Sequence, residues 1–236
     1  MIIAANLKTN LTRAETLEYL KSLESCLSRS SITQEVLVFP ATSSIVAHTG
    51  KIIVGAQNAH GAIKGAFTGE IGSMHLDEFG IKTILIGHSE RRHVLGESQE
   101  ELVKKFDFYK NLGFKIVYCV GEPLEVRESG FDNMMEYISK QYEGIDTNYE
   151  NLIIAYEPVW AIGTGLTPTN EDIASIHKEL KKKSASALLY GGSVKVSNAK
   201  EVLSIEAVDG VLVGGAALNA QDFCEMCKTA QEIEKS

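Results

Sequence analysis

Glu157 sits inside the segment AYEPVWAIGTG (155–165), directly after the apolar run Leu152-Ile153-Ile154-Ala155-Tyr156. The run has the length and β-branched content of a strand buried on both faces, so the carboxylate emerges at a strand's C-terminal edge, where α/β folds collect their chemistry. Pro158 restricts the backbone beside it, an apolar tip Val159-Trp160-Ala161-Ile162 follows, and Gly163 and Gly165 complete a segment that reads as a lid. Other run ends carry groups of related use. Asn6 and Lys8 lie two apart and would point to the same side if the first strand extends that far. His88 ends the run before Ser89-Glu90, residues that could open a short helix with its N-terminus towards the imidazole. Gly191-Gly192-Ser193 and Gly214-Gly215 follow the last two runs, a position where backbone N–H groups commonly hold phosphate. Taken singly, these are a solvated lysine, a turn asparagine, a polar strand end and two glycine turns.

What would bring them together is the pattern of the whole chain. Eight apolar runs start at Ile2, Glu35, Lys51, Lys82, Phe114, Asn151, Ala187 and Gly210, each too short for a helix and too continuously apolar for a strand with one wet face. Helical signals lie between them. Thr12 with Glu15, and Ser98 with Glu101, have capping-box spacing before the stripes Leu17, Leu20, Leu23, Leu27 and Leu102, Phe106, Tyr109. Ile173, Ile176 and Leu180 form another stripe, while the link between the second and third runs leaves room only for a small helix around Ser43–His48. Eight strand–helix units in 236 residues fit an α/β fold, a closed (β/α)8 barrel of parallel strands surrounded by helices, as one domain spanning 1–236. A doubly wound open sheet alternates in the same way, but five of its strand ends would hardly converge on one small ligand; in a barrel they share a rim.

Composition narrows the partners. A net charge of −8 argues against nucleic acid or an anionic membrane, so an anionic ligand must be held locally. The start, MIIAANLKTN, has too short an apolar stretch for a signal peptide, and a cytoplasmic protein is expected. Four cysteines show neither disulfide-framework nor zinc-site spacing, so Cys224 and Cys227 are expected as packed helix thiols and Cys119 as an inert core thiol.

The order of motifs resembles the triosephosphate isomerase family. The matching pieces are N-x-K-x-N at 6–10, GAQN at 55–58, GAFTGEIG at 65–72, IGHSERR at 86–92, CVGE at 119–122, AYEPVWAIGTG at 155–165, YGGSV at 190–194 and DGVLVGGAAL at 209–218. The resemblance implies an aldose–ketose isomerase without metal or cofactor, interconverting dihydroxyacetone phosphate and D-glyceraldehyde 3-phosphate. It implies that Glu157 is the base, His88 the neutral electrophile that polarises the carbonyl, and Lys8 and Asn6 the groups that stabilise the developing enediolate. Gly163, Ser193, Gly214 and Gly215 would then cradle the phosphate beneath a lid running from Pro158 to Pro168. It further implies a homodimer built through the 58–70 loop, with Thr68 near its tip. Rivals are another phosphate-binding barrel enzyme or a non-catalytic phospho-ligand sensor; the first would lack IGHSERR and the lid, the second a catalytic side chain.

The chain departs from the family pattern at Leu7 and Thr9, where Trp and Met are frequent, and at Leu166-Thr167-Pro168, where the lid usually exits through Lys-Thr-Ala. The first change bears on packing near the subunit contact, the second on lid opening.

Overall fold

The computed structural model describes residues 1–162 and 166–235. The chain runs β1 (Ile2–Asn6), α1 (Arg13–Arg29), β2 (Glu35–Phe39), β3 (Ile52–Val54), α2 (Ser73–Glu78), β4 (Thr83–Ile86), α3 (Gln99–Asn111), β5 (Lys115–Val120), α4 (Leu124–Glu128), α5 (Phe131–Lys140), β6 (Leu152–Tyr156), α6 (Asn170–Lys181), β7 (Ala187–Tyr190), α7 (Val196–Leu203), β8 (Gly210–Val213) and α8 (Ala220–Lys235). All eight apolar runs are strands, because a segment apolar on both faces can only be satisfied between a helix layer and an inner core.

Hydrogen bonding orders the parallel strands β3-β2-β1-β8-β7-β6-β5-β4. The two ends meet through Ala56, whose N–H donates to Thr83 O at 2.9 Å and whose carbonyl accepts from Leu85 N at 2.8 Å. The sheet is therefore a closed barrel, and the open-sheet alternative is excluded. Period-two alternation divides the strands: Ala4, Leu37, Leu85, Val117, Cys119, Ile153, Ala155, Leu189 and Leu212 fill the barrel interior, while their neighbours pack on the helices.

Local signals behave as their chemistry requires. Thr12–Glu15 and Ser98–Glu101 form capping boxes at the starts of α1 and α3. Leu20, Leu23 and Leu27 are buried as the α1 stripe predicts, but Leu17, at 50% exposure, lies outside the face that meets the barrel. The small helix expected around Ser43–His48 is only a 3₁₀ turn, Thr42–Ser44, since the short link leaves no room for more.

Cys26 on α1 and Cys224 on α8 are joined by a disulfide, with 6.4 Å between Cα atoms. This corrects the expectation of free thiols throughout. Cys227 and Cys119 are free and buried as expected, whereas Cys224 meets a partner 198 residues away because pairing of β1 with β8 lays α1 beside α8. Spacing along the chain carries no trace of that juxtaposition.

Candidate active site

β1 stops at Asn6, so Lys8 is not on an extended strand as its two-residue offset suggested. It reaches the same cavity by another route. Its backbone turns left-handed, with φ of 51°, a conformation that costs on the order of 1–2 kcal/mol for a residue with a Cβ. Polar contacts hold it there: Lys8 N–H donates to Asn6 Oδ1 at 3.0 Å, and Gln57 Nε2 donates to Lys8 O at 2.8 Å and Phe39 O at 2.9 Å. The Lys8 Nζ is 2.5 Å from Glu90 Oε1.

At the end of β4, Gly87 takes a φ of 79° and delivers His88 to the rim, where a short π-helical turn, Glu90–Val94, begins. Glu90 N–H donates to His88 Nδ1 at 3.3 Å. An accepting Nδ1 leaves the proton on Nε2, which lies 3.0 Å from Glu157 Oε1. The other oxygen of Glu157 accepts from Ser89 N–H at 2.7 Å, and the residue is 2% exposed just past β6.

Burial is the largest influence on both groups and disfavours their charged forms, yet each settles the other way. Glu157 is held below the usual carboxylate value by His88, the Ser89 N–H and Lys8. His88 is raised despite its burial because Glu157 and, more weakly, Glu90 favour the imidazolium, while Lys8 opposes it.

Asn6, Lys8, His88 and Glu157 line one cavity of about 450 Å³ with Ser193, Gly214 and Gly215. A Cβ at Gly191 would fall 2.9 Å from Glu157 Cγ, and one at Gly192 only 2.2 Å from the Tyr190 hydroxyl, so side chains there would displace Glu157 or Tyr190. Ser193 Oγ donates to Ala161 O at 2.6 Å, tying the glycine loop to the segment that follows Glu157. Gly163, the remaining expected cradle residue, lies outside the described residues. Among the described residues no group of three or more His, Cys, Asp or Glu side chains is placed to hold a metal ion.

The family model described as triosephosphate isomerase matches residues 1–230. The chain belongs to the triosephosphate isomerase family. It is 68% identical over 235 residues to the triosephosphate isomerase of Sulfurimonas denitrificans, covering 100% of this chain and 98% of that one. The corresponding proteins of Sulfurovum sp. and Campylobacter jejuni are 53% and 48% identical, covering 96% and 97% of this chain and 99% and 100% of theirs.

In this triosephosphate isomerase fold the segment directly after Glu157 is anchored by Glu122. Glu122 Oε1 accepts from Trp160 Nε1 at 3.0 Å and from the Tyr156 hydroxyl at 3.1 Å, and its backbone carbonyl accepts from Val159 N–H at 3.0 Å. Burial raises the Glu122 carboxyl above its ordinary value against the pull of those donors. Ser89 and Glu90 read from sequence as the opening of a short helix facing His88, and the turn that begins at Glu90, with its N–H on His88 Nδ1, bears this out. Gln57 and Glu122 were not singled out, although each lies in a motif that carries the resemblance. The roles of these two are contacts made across strands, and only the motifs GAQN and CVGE marked their positions.

Proposed function

We propose that this chain interconverts dihydroxyacetone phosphate and D-glyceraldehyde 3-phosphate, the isomerisation between ketose and aldose used in glycolysis and gluconeogenesis. The observation that carries the reading is the contact of Glu157 with His88 at 3.0 Å, in a cavity that Ser193, Gly214 and Gly215 also line. Glu157 removes a proton from the carbon beside the carbonyl, the bond electrons move onto the carbonyl oxygen, and an enediolate forms. His88 Nε2–H and Lys8 face the developing negative charge, with Asn6 as a further donor. Glu157 returns the proton to the adjacent carbon. One carbon gains the proton the other loses, and a second proton leaves the hydroxyl oxygen that becomes the new carbonyl and joins the former carbonyl oxygen, with His88 Nε2 placed to relay it, so the step balances without an external hydride carrier.

Movement of the carboxylate away from His88 serves this chemistry. Glu157 is what raises the imidazole, so its departure towards substrate leaves burial in control and returns His88 to the neutral donor form. The Ser89 N–H and His88 thus hold the base in a waiting position.

Ser193, Gly214, Gly215 and Gly163 are assigned to the phosphate, under a lid from Pro158 to Pro168 that excludes water when closed. The reading includes a homodimer through the 58–70 loop, in a cytoplasmic setting suited to a central metabolic step. In its support, Ile63 and Phe67 on that loop are exposed, and Val94 and Leu95 beside it are 76% and 67% exposed. Residues 1–236 act in this reading as one catalytic domain.

A coupled assay with glyceraldehyde 3-phosphate tests the proposal directly. The purified protein should turn over substrate, and Glu157→Asp should lower kcat by about 10²–10³-fold with KM little changed. Tight binding of phosphoglycolate without turnover would mark a sensor and overturn the enzyme reading.

A further inference from the structure

Two lysines line the cavity, and they are differently employed. Lys8 is compensated by Glu90 at 2.5 Å. Lys195 has no acidic partner among the described residues and is exposed at the cavity's edge. Its backbone is nonetheless fixed: Lys195 N–H donates to Asn198 Oδ1 at 2.7 Å, and Asn198 Nδ2 donates in turn to Ser193 O at 3.1 Å. Asn198 therefore joins the residue assigned to the phosphate and the root of this lysine in one turn at the start of α7.

The surrounding field makes an uncompensated cation useful. The chain carries a net charge of −8, and Glu157 and Glu90 add negative charge at the site itself, so a dianionic phosphate approaches against repulsion. A paired lysine offsets little of this. An unpaired one at the mouth acts while the ligand is still arriving, when water intervenes and the interaction is screened over about 10 Å.

We infer that Lys195 is a phosphate-capture residue, drawing the substrate's phosphate dianion to the cradle and raising the rate of productive association. This rests on the isomerase reading for the identity of the phosphate ester. Lys195 touches no reacting atom and acts before the chemical step.

The test compares Lys195→Gln, Lys195→Glu and Lys195→Arg with the native protein over a range of salt. Lys195→Gln should lower kcat/KM about three- to tenfold at low ionic strength while kcat stays within twofold, and the gap should close towards 1 M salt, where the screening length is about 3 Å. Lys195→Glu should exceed that loss and Lys195→Arg should restore native behaviour. The same ranking should appear in the affinity for inorganic phosphate followed by phosphorus NMR, a measurement that needs no turnover. Native values of kcat/KM and phosphate affinity for Lys195→Gln at low salt would overturn the inference, as would an equal fall in kcat. If the native protein fails to isomerise, the activity reading falls, and the phosphate titration still judges Lys195.

Discussion

The state of His88 is decided by two atoms on opposite sides of its ring. The Glu90 N–H fixes Nδ1 as acceptor, and the Glu157 carboxylate on Nε2 raises the imidazole's pKa above its ordinary 6.5. Replacing Glu157 by Gln removes that support and leaves burial dominant, so His88 should titrate below 6.5 in the variant and above it in the unliganded native protein. Imidazole ¹⁵N chemical shifts across pH would show this, and identical titrations would dismiss the coupling. The pair also contributes to stability in a defined window. The lowered Glu157 loses its contribution as pH falls below 4.5 and through its folded value, and the raised His88 loses its own as pH rises above 6.5 and through its folded value. Unfolding measured without ligand should therefore show the native protein's advantage over Glu157→Gln greatest between about pH 4.5 and 6.5. Singly the principal groups read as ordinary strand ends and turns; they were legible together because the ends of buried apolar runs share one rim in a barrel and because their motifs stand in the family's order. The Glu90 N–H on His88 was anticipated with the short helix read after it, whereas the Ser89 N–H on Glu157 was not, since it joins the ends of two different strands and a backbone N–H has no identity in a sequence.

At the scale of elements, the segment after Glu157, the stem of the proposed lid, hangs on Glu122. Its carboxyl is raised by burial, so the neutral form is favoured in the folded state, and stability present at low pH is lost as pH rises through the folded value. Glu122→Gln keeps an acceptor for Tyr156 and Trp160 without the buried charge and should be at least as stable as the native protein at pH 8. Glu122→Leu strands both donors and should cost about 2–4 kcal/mol, read by denaturant unfolding. Trp160 is the single tryptophan, so a shift in its emission in Glu122→Leu would report the released stem directly. Strands and capped helices were readable because apolar continuity and capping are local. The α6 start, capped by Thr169 with Asp172 in place of the usual Glu, escaped the same pattern, and the left-handed turn at Lys8 broke the strand that alternation had extended.

Across the molecule, the consequential feature absent from local pattern is the Cys26–Cys224 disulfide. Closing a chain segment of 198 residues restricts the unfolded state, an effect of roughly 3–5 kcal/mol. Reduction, or Cys26→Ser, should lower Tm by roughly 5–15 °C, and calorimetry with and without reductant would measure it. Unchanged melting would show that the two helices are held by packing alone. Burial raises the neighbouring Cys227 thiol to about 12, which keeps it from attacking the bond at neutral pH. Assembly is the other property of this scale. Leu7, which departs from the family pattern, is fully buried within the protomer, so it acts on the core and only the exposed Thr9 is available to a partner. For the homodimer proposed above, Leu95→Asp should shift sedimentation across a dilution series towards monomer and lower activity with it, and an unchanged profile would remove this face from the contact.

The barrel's circumference is unequally fastened. Where the chain's two ends come together, β1 pairs with β8 from Ile2–Gly210 to Ala5–Val213, and a covalent link crosses the helices outside. Between β3 and β4 the circle is completed by the two hydrogen bonds of Ala56. The ring should thus breathe between β3 and β4, with the amides of Ala56 and Leu85 taking up deuterium before those of β1 and β8, and the termini, usually the first parts of a protein to fray, among the last to let go.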